Sequence, residues 1–130
     1  LCGSTGFIRT ARRLRKMFGG GMRQAGVIAA CGLYALDNNI ARLADDHQRA
    51  RQLADGISTI EELPARCFTN MVFIEPLDRD LEPLRMHLQE RGILIGRQNP
   101  PLRLVTHLDI DDAGIDRVIT AIQSYYQVNR

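Results

Sequence analysis

The hydrophobic pattern of this chain changes at Pro64, from the spacing of helices to the spacing of short strands. Before Pro64, apolar residues recur every three or four positions, which predicts helices; after it, short apolar runs predict a small sheet. We expect helices at residues 4–17, 22–37 and 40–57, then a strand at 70–74, a helix at 80–91, strands at 93–95 and 102–106 joined by a loop at 96–101, and a helix ending near 126. The expected caps are Ser4 or Thr5 for the first helix, Asp80 for the fourth and Asp109 or Asp111 for the last. This order predicts an α/β (α+β) chain whose three-stranded, mainly antiparallel sheet is covered by helices on one side.

The predicted helices differ in how much of their surface we expect to be buried. The second is apolar nearly all round, so we expect it to be buried, and its small residues would let a neighbour approach closely. The third places His47 on its apolar stripe, where a packed core histidine is the favoured interpretation, and it turns Asp45 and Asp46 toward water. We expect His87 on an exposed helix.

Composition places the chain among ordinary globular domains. Of its 130 residues, 45% are hydrophobic and 25% are charged, and the sequence has no run of about 18 apolar residues that could cross a membrane. A net charge of +2 with 5% aromatic residues disfavours nucleic-acid binding. The three cysteines lack disulfide or metal spacing, so we expect free, mostly buried thiols in a reducing cytoplasm. Because the first residue is Leu1, we expect a piece of a longer chain.

Lys16 and Arg23 flank three consecutive glycines, Gly19–Gly21, between the first two predicted helices. Glycines let the backbone approach a ligand closely, and the following helix N-terminus presents free N–H groups to an anion. The segment therefore suits a phosphate or a carboxylate. Because it is neither a Walker loop nor a GxGxxG motif, a plain turn with solvated charges stays open as the other interpretation.

Arg103 lies in the predicted strand at 102–106, on one face with Val105 and His107. An arginine cannot lose its charge, so between apolar neighbours it needs an anion, and its planar fork matches a carboxylate. The anion is either a ligand or an internal Asp or Glu. His107 lies beside Asp109, where orienting the loop is favoured over contact with a ligand. The aspartates lack the spacing of a calcium loop, and we predict no metal site.

Several of these segments resemble one enzyme family. LRKMFGGGMRQAG at residues 14–26 resembles the RKxxGGGMRQ segment of the low-specificity L-threonine aldolases, and RLVTHLD at residues 103–109 is similar to a segment of the same family. ALDNN at 35–39, ARLADDH at 41–47 and TNMVF at 69–73 continue the match in the same order. The resemblance covers nearly the whole chain.

The resemblance implies a pyridoxal 5'-phosphate enzyme of fold type I that cleaves L-threonine and L-allo-threonine to glycine and acetaldehyde. It implies that residues 1–60 are a helical segment linking to a large domain outside this sequence, and that residues 61–130 are the C-terminal small α/β domain. It also implies a cytoplasmic homo-oligomer, a tetramer, with active sites between subunits. The expected partner is a small amino acid substrate, without nucleic acid or membrane.

Three residues can be carried over from the family. Arg103 matches the arginine that grips the substrate carboxylate, and Lys16 and Arg23 match a basic pair at the active-site entrance and the cofactor phosphate. The family's Schiff-base lysine has no counterpart here, because Lys16, the only lysine, matches a different one. We therefore expect no catalytic residue in this chain and no activity from the fragment alone.

Three other interpretations stay open. The chain could belong to another type I lyase, one that eliminates a β-substituent, and the reaction products would distinguish the two. It could be a non-catalytic remnant, which an upstream coding sequence would exclude. The basic face from Arg9 to Lys16 could bind nucleic acid, although such faces are usually solvated.

Overall fold

The computed structural model describes residues 1–96 and 99–129. It contains five helices and three strands within those residues: α1 (Thr5–Met17), α2 (Gly26–Asn38), α3 (Leu43–Ile57), β1 (Ala65–Phe68), β2 (Met71–Ile74), α4 (Asp78–Gln89), β3 (Leu102–Val105) and α5 (Asp112–Val128). The predicted α/β class with a small three-stranded antiparallel sheet is confirmed. The predicted loop at 96–101 includes residues 97 and 98, which lie outside the described residues.

The sheet has the order β1-β2-β3, and both neighbouring pairs are antiparallel. Two strand assignments differ from the prediction. Residues 93–95 form no strand, because the Ile93 N–H donates to the Leu88 carbonyl and so completes the end of α4 instead of a ladder. β1 was not predicted, since Arg66 and Cys67 give it little strand character; its pairing with β2 is what makes it a strand.

Helix boundaries follow local capping where a cap is present. The Ser4 Oγ accepts from the Phe7 N–H at 3.4 Å, and the Asp111 Oδ1 accepts from the Gly114 N–H at 2.7 Å, so the predicted starts of α1 and α5 are confirmed. α2 begins four residues later than predicted, after Gln24 adopts a positive φ of 52°. α4 begins two residues earlier than predicted, with Leu77 rather than Asp80 at the N-cap.

Contacts divide the chain into two compact units, residues 1–40 and 41–130. The predicted boundary at residue 60 concerns a larger protein and stays a prediction. The first unit contains α1 and α2, and no residue of either helix is buried. The prediction of a buried α2 is therefore wrong for the described chain, because one other helix cannot cover a helix that is apolar all round. Its exposed large apolar residues are Val27, Ile28, Leu33, Tyr34 and Leu36.

The second unit contains the hydrophobic core. α3 packs against β1, β2 and α5, and α4 packs against α5, so helices cover the buried face of the sheet. The strands contribute alternate residues to this core, as a sheet with one covered face must. The buried apolar residues are Ala50, Leu53, Ala54, Ile57, Ile60, Leu63, Val72, Ile74, Leu84, Leu88, Ile93, Leu102, Ile115, Ala121, Ile122, Tyr125 and Tyr126.

Three expectations about polar side chains are corrected. Asp46 is only 2% exposed rather than turned toward water, because the Arg42 guanidinium lies 2.6 Å from its Oδ1. His87 is half-buried, since its Nε2 lies 3.0 Å from the Ala121 carbonyl oxygen of α5. The cysteines are free as predicted but not buried: Cys2 and Cys31 are exposed, and Cys67 is half-buried.

Candidate functional site

The loop after α1 holds Lys16 against the glycines. Gly19 has a φ of +79°, in the left-handed region that favours glycine, and the Gly20 N–H donates to the Arg15 carbonyl at 2.8 Å. A Cβ atom on Gly21 would lie 2.7 Å from the Lys16 Nζ and 2.9 Å from its Cδ. A residue with a Cβ at position 21 would therefore require the end of the Lys16 side chain to shift.

Arg23 lies in the turn that leads into α2, and its side chain is exposed. Ala25 occupies the N-cap of α2, and no side chain caps the free N–H groups of this helix. Within residues 1–96 and 99–129, neither Lys16 nor Arg23 forms a hydrogen bond or ion pair through its side chain. Their charges are therefore solvated within this part of the chain, and the binding of an anion here stays a prediction.

Arg103 lies on the outward face of β3, opposite Phe73 of β2. Leu102 on one side is buried and Leu104 is half-buried, whereas Arg103 and Val105 are exposed, so the two predicted faces of this strand are confirmed. The alternative partner, an internal Asp or Glu, is not found among the described residues. Within residues 1–96 and 99–129 the Arg103 guanidinium therefore has no acidic partner.

An open cleft of about 390 Å³ lies beside β3, between this strand, residues 92–96 and the first half of α5. Its walls are mainly apolar, and they carry two arginines, Arg103 and Arg117. In the described part of the chain, no acidic side chain pairs with either arginine. Its apolar lining residues include Leu53, Ile93, Ile95, Ile110, Ile115 and Val118. A cleft of this size and lining can hold a small molecule that joins a carboxylate to a short apolar part.

The histidines are less suited to binding a ligand. The His107 Nδ1 accepts from the Asp109 N–H at 3.3 Å, which orients the turn after β3 and agrees with the favoured structural role. His47 is half-buried on α3. The described residues contain no group of three or more His, Cys, Asp or Glu side chains that could hold a metal ion. None of their helices is long and apolar enough to span a membrane.

The shifted pKa values belong to residues that hold α3, α4 and α5 together. The pKa of Arg49 is raised by its hydrogen bond to the Asp112 carboxylate, at 2.6 Å. Burial raises the pKa of Tyr125, and the nearby Asp80 adds to this shift. Burial also raises the pKa of Tyr126. None of these groups is a candidate for binding, so these shifts concern stability and not the site.

Comparison with known proteins places this chain in a family. A sequence model described as beta-eliminating lyase matches residues 1–77. The chain is 43% identical over 110 residues to the low specificity L-threonine aldolase of Escherichia coli K12, a match covering 85% of this chain and 33% of that protein. It is 38% identical over 133 residues to the probable low-specificity L-threonine aldolase 2 of Arabidopsis thaliana, covering 97% of this chain and 38% of that protein.

The second unit is an α/β unit in which Arg103, without an acidic partner among the described residues, lies beside a mainly apolar cleft. The chain belongs to the beta-eliminating lyase family. The resemblance to the low-specificity L-threonine aldolases, seen first in the motifs around Gly19–Gly21 and Arg103, is also confirmed. The chain spans about a third of the length of the curated relatives it matches.

Proposed function

We propose that this chain is the C-terminal part of a pyridoxal 5'-phosphate-dependent threonine aldolase, which cleaves L-threonine and L-allo-threonine to glycine and acetaldehyde. The observation that carries the proposal is the unpaired Arg103 on an outward strand face beside an apolar cleft. The names of the relatives supply the reaction. The 130 residues alone are inactive in this proposal, because their only lysine, Lys16, does not match the Schiff-base lysine of the family.

Arg103 would bind the α-carboxylate of the amino acid. A guanidinium offers two parallel N–H donors to the two carboxylate oxygens, which fixes the orientation of the substrate as well as its position. Pairing of β3 with β2 fixes the backbone at Arg103, so the position of this residue on the strand is set before the substrate arrives. This orientation decides which bond at the α-carbon is presented for cleavage.

Lys16 and Arg23 would hold the phosphate of the cofactor, or stand at the entrance to its site. The close packing of the Lys16 side chain over Gly21 fits this role, because it keeps an unpaired ammonium at a loop where the backbone can approach an anion. Pyridoxal 5'-phosphate, when bound, supplies the electron sink that carbon–carbon bond cleavage requires. The chain's own contribution is electrostatic: two cations for a dianionic phosphate.

The remaining parts of the proposal concern the larger protein. Residues 1–60 would link to a large domain, and residues 61–130 would be the small domain. The protein would be a cytoplasmic homotetramer, in which Lys16 and Arg23 reach the site of a neighbouring subunit. Its partner would be a small amino acid, and neither nucleic acid nor a membrane.

A second candidate is suggested by the family description, beta-eliminating lyase. An eliminating enzyme would release the β-substituent of an amino acid with a proton, and hydrolysis by water would give ammonia and a 2-oxo acid. It would bind the substrate carboxylate in the same way. Product analysis separates the two: glycine with an aldehyde supports cleavage, whereas ammonia with a 2-oxo acid supports elimination.

The test uses the complete protein encoded by the reading frame that contains this chain, supplied with pyridoxal 5'-phosphate. We expect glycine and acetaldehyde from L-threonine, and a KM for threonine raised by about 10- to 100-fold in Arg103→Ala, since a charged, bidentate contact is lost. Arg51→Ala, at an exposed position of α3, removes the same charge and is the control. An unchanged KM in Arg103→Ala would refute the carboxylate role, and absence of cleavage by the wild type would refute the proposed reaction.

A second arm of this experiment tests the basic pair. Lys16→Ala and Arg23→Ala should weaken binding of pyridoxal 5'-phosphate by about tenfold each, since each loses one charge-assisted contact to phosphate. Their effect should vanish with pyridoxal, which lacks the phosphate. Arg12→Ala on α1 is the charge-matched control. Equal weakening for both forms of the cofactor would count against a phosphate role.

A further inference from the structure

Three segments of the chain meet at the end of β3, at the edge of the cleft. Asp46 comes from the first turns of α3, Asn70 from the turn between β1 and β2, and Thr106 directly follows β3. The Thr106 Oγ1 donates to the Asp46 carbonyl at 2.7 Å, and the Asn70 Nδ2 donates to the Thr106 carbonyl at 2.8 Å. We call these three residues the strand-end junction.

The junction is buried, and its polar groups are satisfied. Asp46 and Thr106 are each 2% exposed, and the Asp46 carboxylate is paired with Arg42. The Asn70 carbonyl lies 3.3 Å from the Thr106 Oγ1, farther than the Asp46 carbonyl at 2.7 Å, so the single hydroxyl proton goes to Asp46. A buried network with every member paired holds its elements in one arrangement, because any displacement leaves a polar group without a partner.

The junction also extends the ladder between β2 and β3 by one position. Beyond the Met71–Val105 pair, the Thr106 N–H donates to the Asn70 carbonyl at 3.0 Å, and the Asn70 side chain returns a bond to the same residue. A slip of one residue in this register would turn Arg103 to the buried face of the sheet. Thr106 lies on the buried face of the sheet. Its hydroxyl can donate to Asp46 of α3 only when that face of the strand points inward, so this hydrogen bond favours the observed register.

The turn that carries Asn70 is under backbone strain. Thr69 has a φ of +54°, in the left-handed region, where the Cβ atom of a side-chain-bearing residue is crowded by the backbone. A β-branched residue is held there only when its surroundings determine the conformation. Here the hydrogen bonds between Asn70 and Thr106, which follows β3, hold the turn in this conformation.

We propose that Asp46, Asn70 and Thr106 are positioning residues for the substrate arginine. They fix the end and the register of β3, and so hold Arg103 outward and in one place for a carboxylate. This inference rests on the proposed function, because Arg103 is taken to bind the substrate. In this proposal the three residues act through Arg103, although Thr106 also lies in the wall of the cleft.

The test is the kinetics of the complete enzyme with L-threonine. Thr106→Val keeps the shape of the side chain but removes the hydroxyl donor, and Thr106→Ser keeps the donor. We expect Thr106→Val to raise KM by about fivefold or more while kcat stays within about twofold, because a displaced arginine weakens carboxylate binding. Thr106→Ser should restore KM, and Thr120→Val, at an exposed position of α5, should leave both constants unchanged.

Asn70→Ala is the second variant, and it keeps the test decisive if Thr106→Val does not fold. Asn70 is half-buried, so truncation there removes the side-chain bond to Thr106 with less disturbance of the core. A raised KM in Asn70→Ala, with little change in kcat, supports the positioning role. If the wild type is active and these variants lose only thermal stability, the positioning role is refuted and the proposed function stands. If the complete wild-type enzyme does not cleave threonine, the proposed function itself is refuted.

Discussion

Helices α2 and α5 are both rich in apolar residues, yet only α5 is buried. The apolar residues of α5 lie on one face, and that face packs against α3 and α4. The apolar residues of α2 surround the helix, and none of them is buried. One apolar face requires one layer of neighbours, which the second unit provides. An apolar surface all round requires neighbours on every side, and two helices cannot provide them. The second unit therefore has its own core, and the first does not.

The largest expected effect comes from truncating the same residue type in the two units. Leu84→Ala, at a side chain that is 0% exposed, should lower the free energy of unfolding by about 3 kcal/mol, because it leaves a cavity. Leu33→Ala on α2, at 62% exposure, should change it by less than about 0.5 kcal/mol. Urea denaturation of the 130-residue chain, followed by circular dichroism, measures both. Similar losses in the two variants would show that α2 is covered in solution.

Glycine-to-alanine substitutions in the two units should differ in sign. A Cβ on Gly56 would lie 2.7–2.9 Å from three side-chain atoms of Ile119, so Gly56→Ala should destabilise the packing of α3 on α5 by about 1–2 kcal/mol. A Cβ on Gly32 of α2 would meet nothing within 4 Å, so Gly32→Ala should stabilise α2 by about 1 kcal/mol through helix propensity. Amide hydrogen exchange of each helix measures both effects.

Gly32→Ala can also be made in the complete protein, where it tests whether α2 is covered by another element. If another element packs closely on α2 there, the added methyl group should destabilise instead of stabilise. A stabilising Gly32→Ala in the complete protein would mean that α2 has no close neighbour at this position.

A smaller effect is expected at high pH. Burial raises the pKa of Tyr126 above its value in the unfolded chain, about 10. The unfolded state then loses the phenolic proton first, so this contribution to stability is complete below about pH 10 and is lost as the pH rises toward the folded pKa. The free energy of unfolding should fall above pH 10, and Tyr126→Phe should reduce that fall. Urea titrations at pH 8 and above pH 10 measure it, with Tyr34→Phe on α2 as the matched control.

The same variant has an expected effect near neutral pH. The Tyr126 hydroxyl is buried and has no hydrogen-bond partner among the residues that the structure describes. Removing it should raise the free energy of unfolding by about 1 kcal/mol at pH 7, because an unsatisfied buried group is removed. A loss of stability at pH 7 would show that the hydroxyl has a partner in solution.

Sequence reasoning succeeded where the cause of a feature lies within a few residues. Ser4 and Asp111 cap α1 and α5 through their own side chains, and both caps can be recognised from residue type and spacing. The outward position of Arg103 follows from the alternation of a strand, so the main candidate for binding was found without the structure.

Sequence reasoning failed where a partner lies far away in the chain. Residues 93–95 resemble a strand more than residues 65–68 do, but only the latter pair with β2. Asp46 resembles a solvated residue of a first helical turn, but it is buried beside Thr106, sixty residues further on. His87 contacts α5 in a similar way. No local sequence pattern indicates these contacts, because each contact depends on which helices and strands pack together.

Local sequence patterns were enough to predict the five helices, the caps of α1 and α5, the two faces of β3 and the family of the chain. Helix and strand propensity, side-chain capping and the alternation of strand faces depend on residues that are close together in the sequence. They can therefore be recognised without the tertiary structure. Only the tertiary structure decided which short run became β1, which aspartate was buried, and that α5 rather than α2 joined the core. Those outcomes follow from non-local pairing and burial, because the free energy of a buried group depends on the partners that surround it.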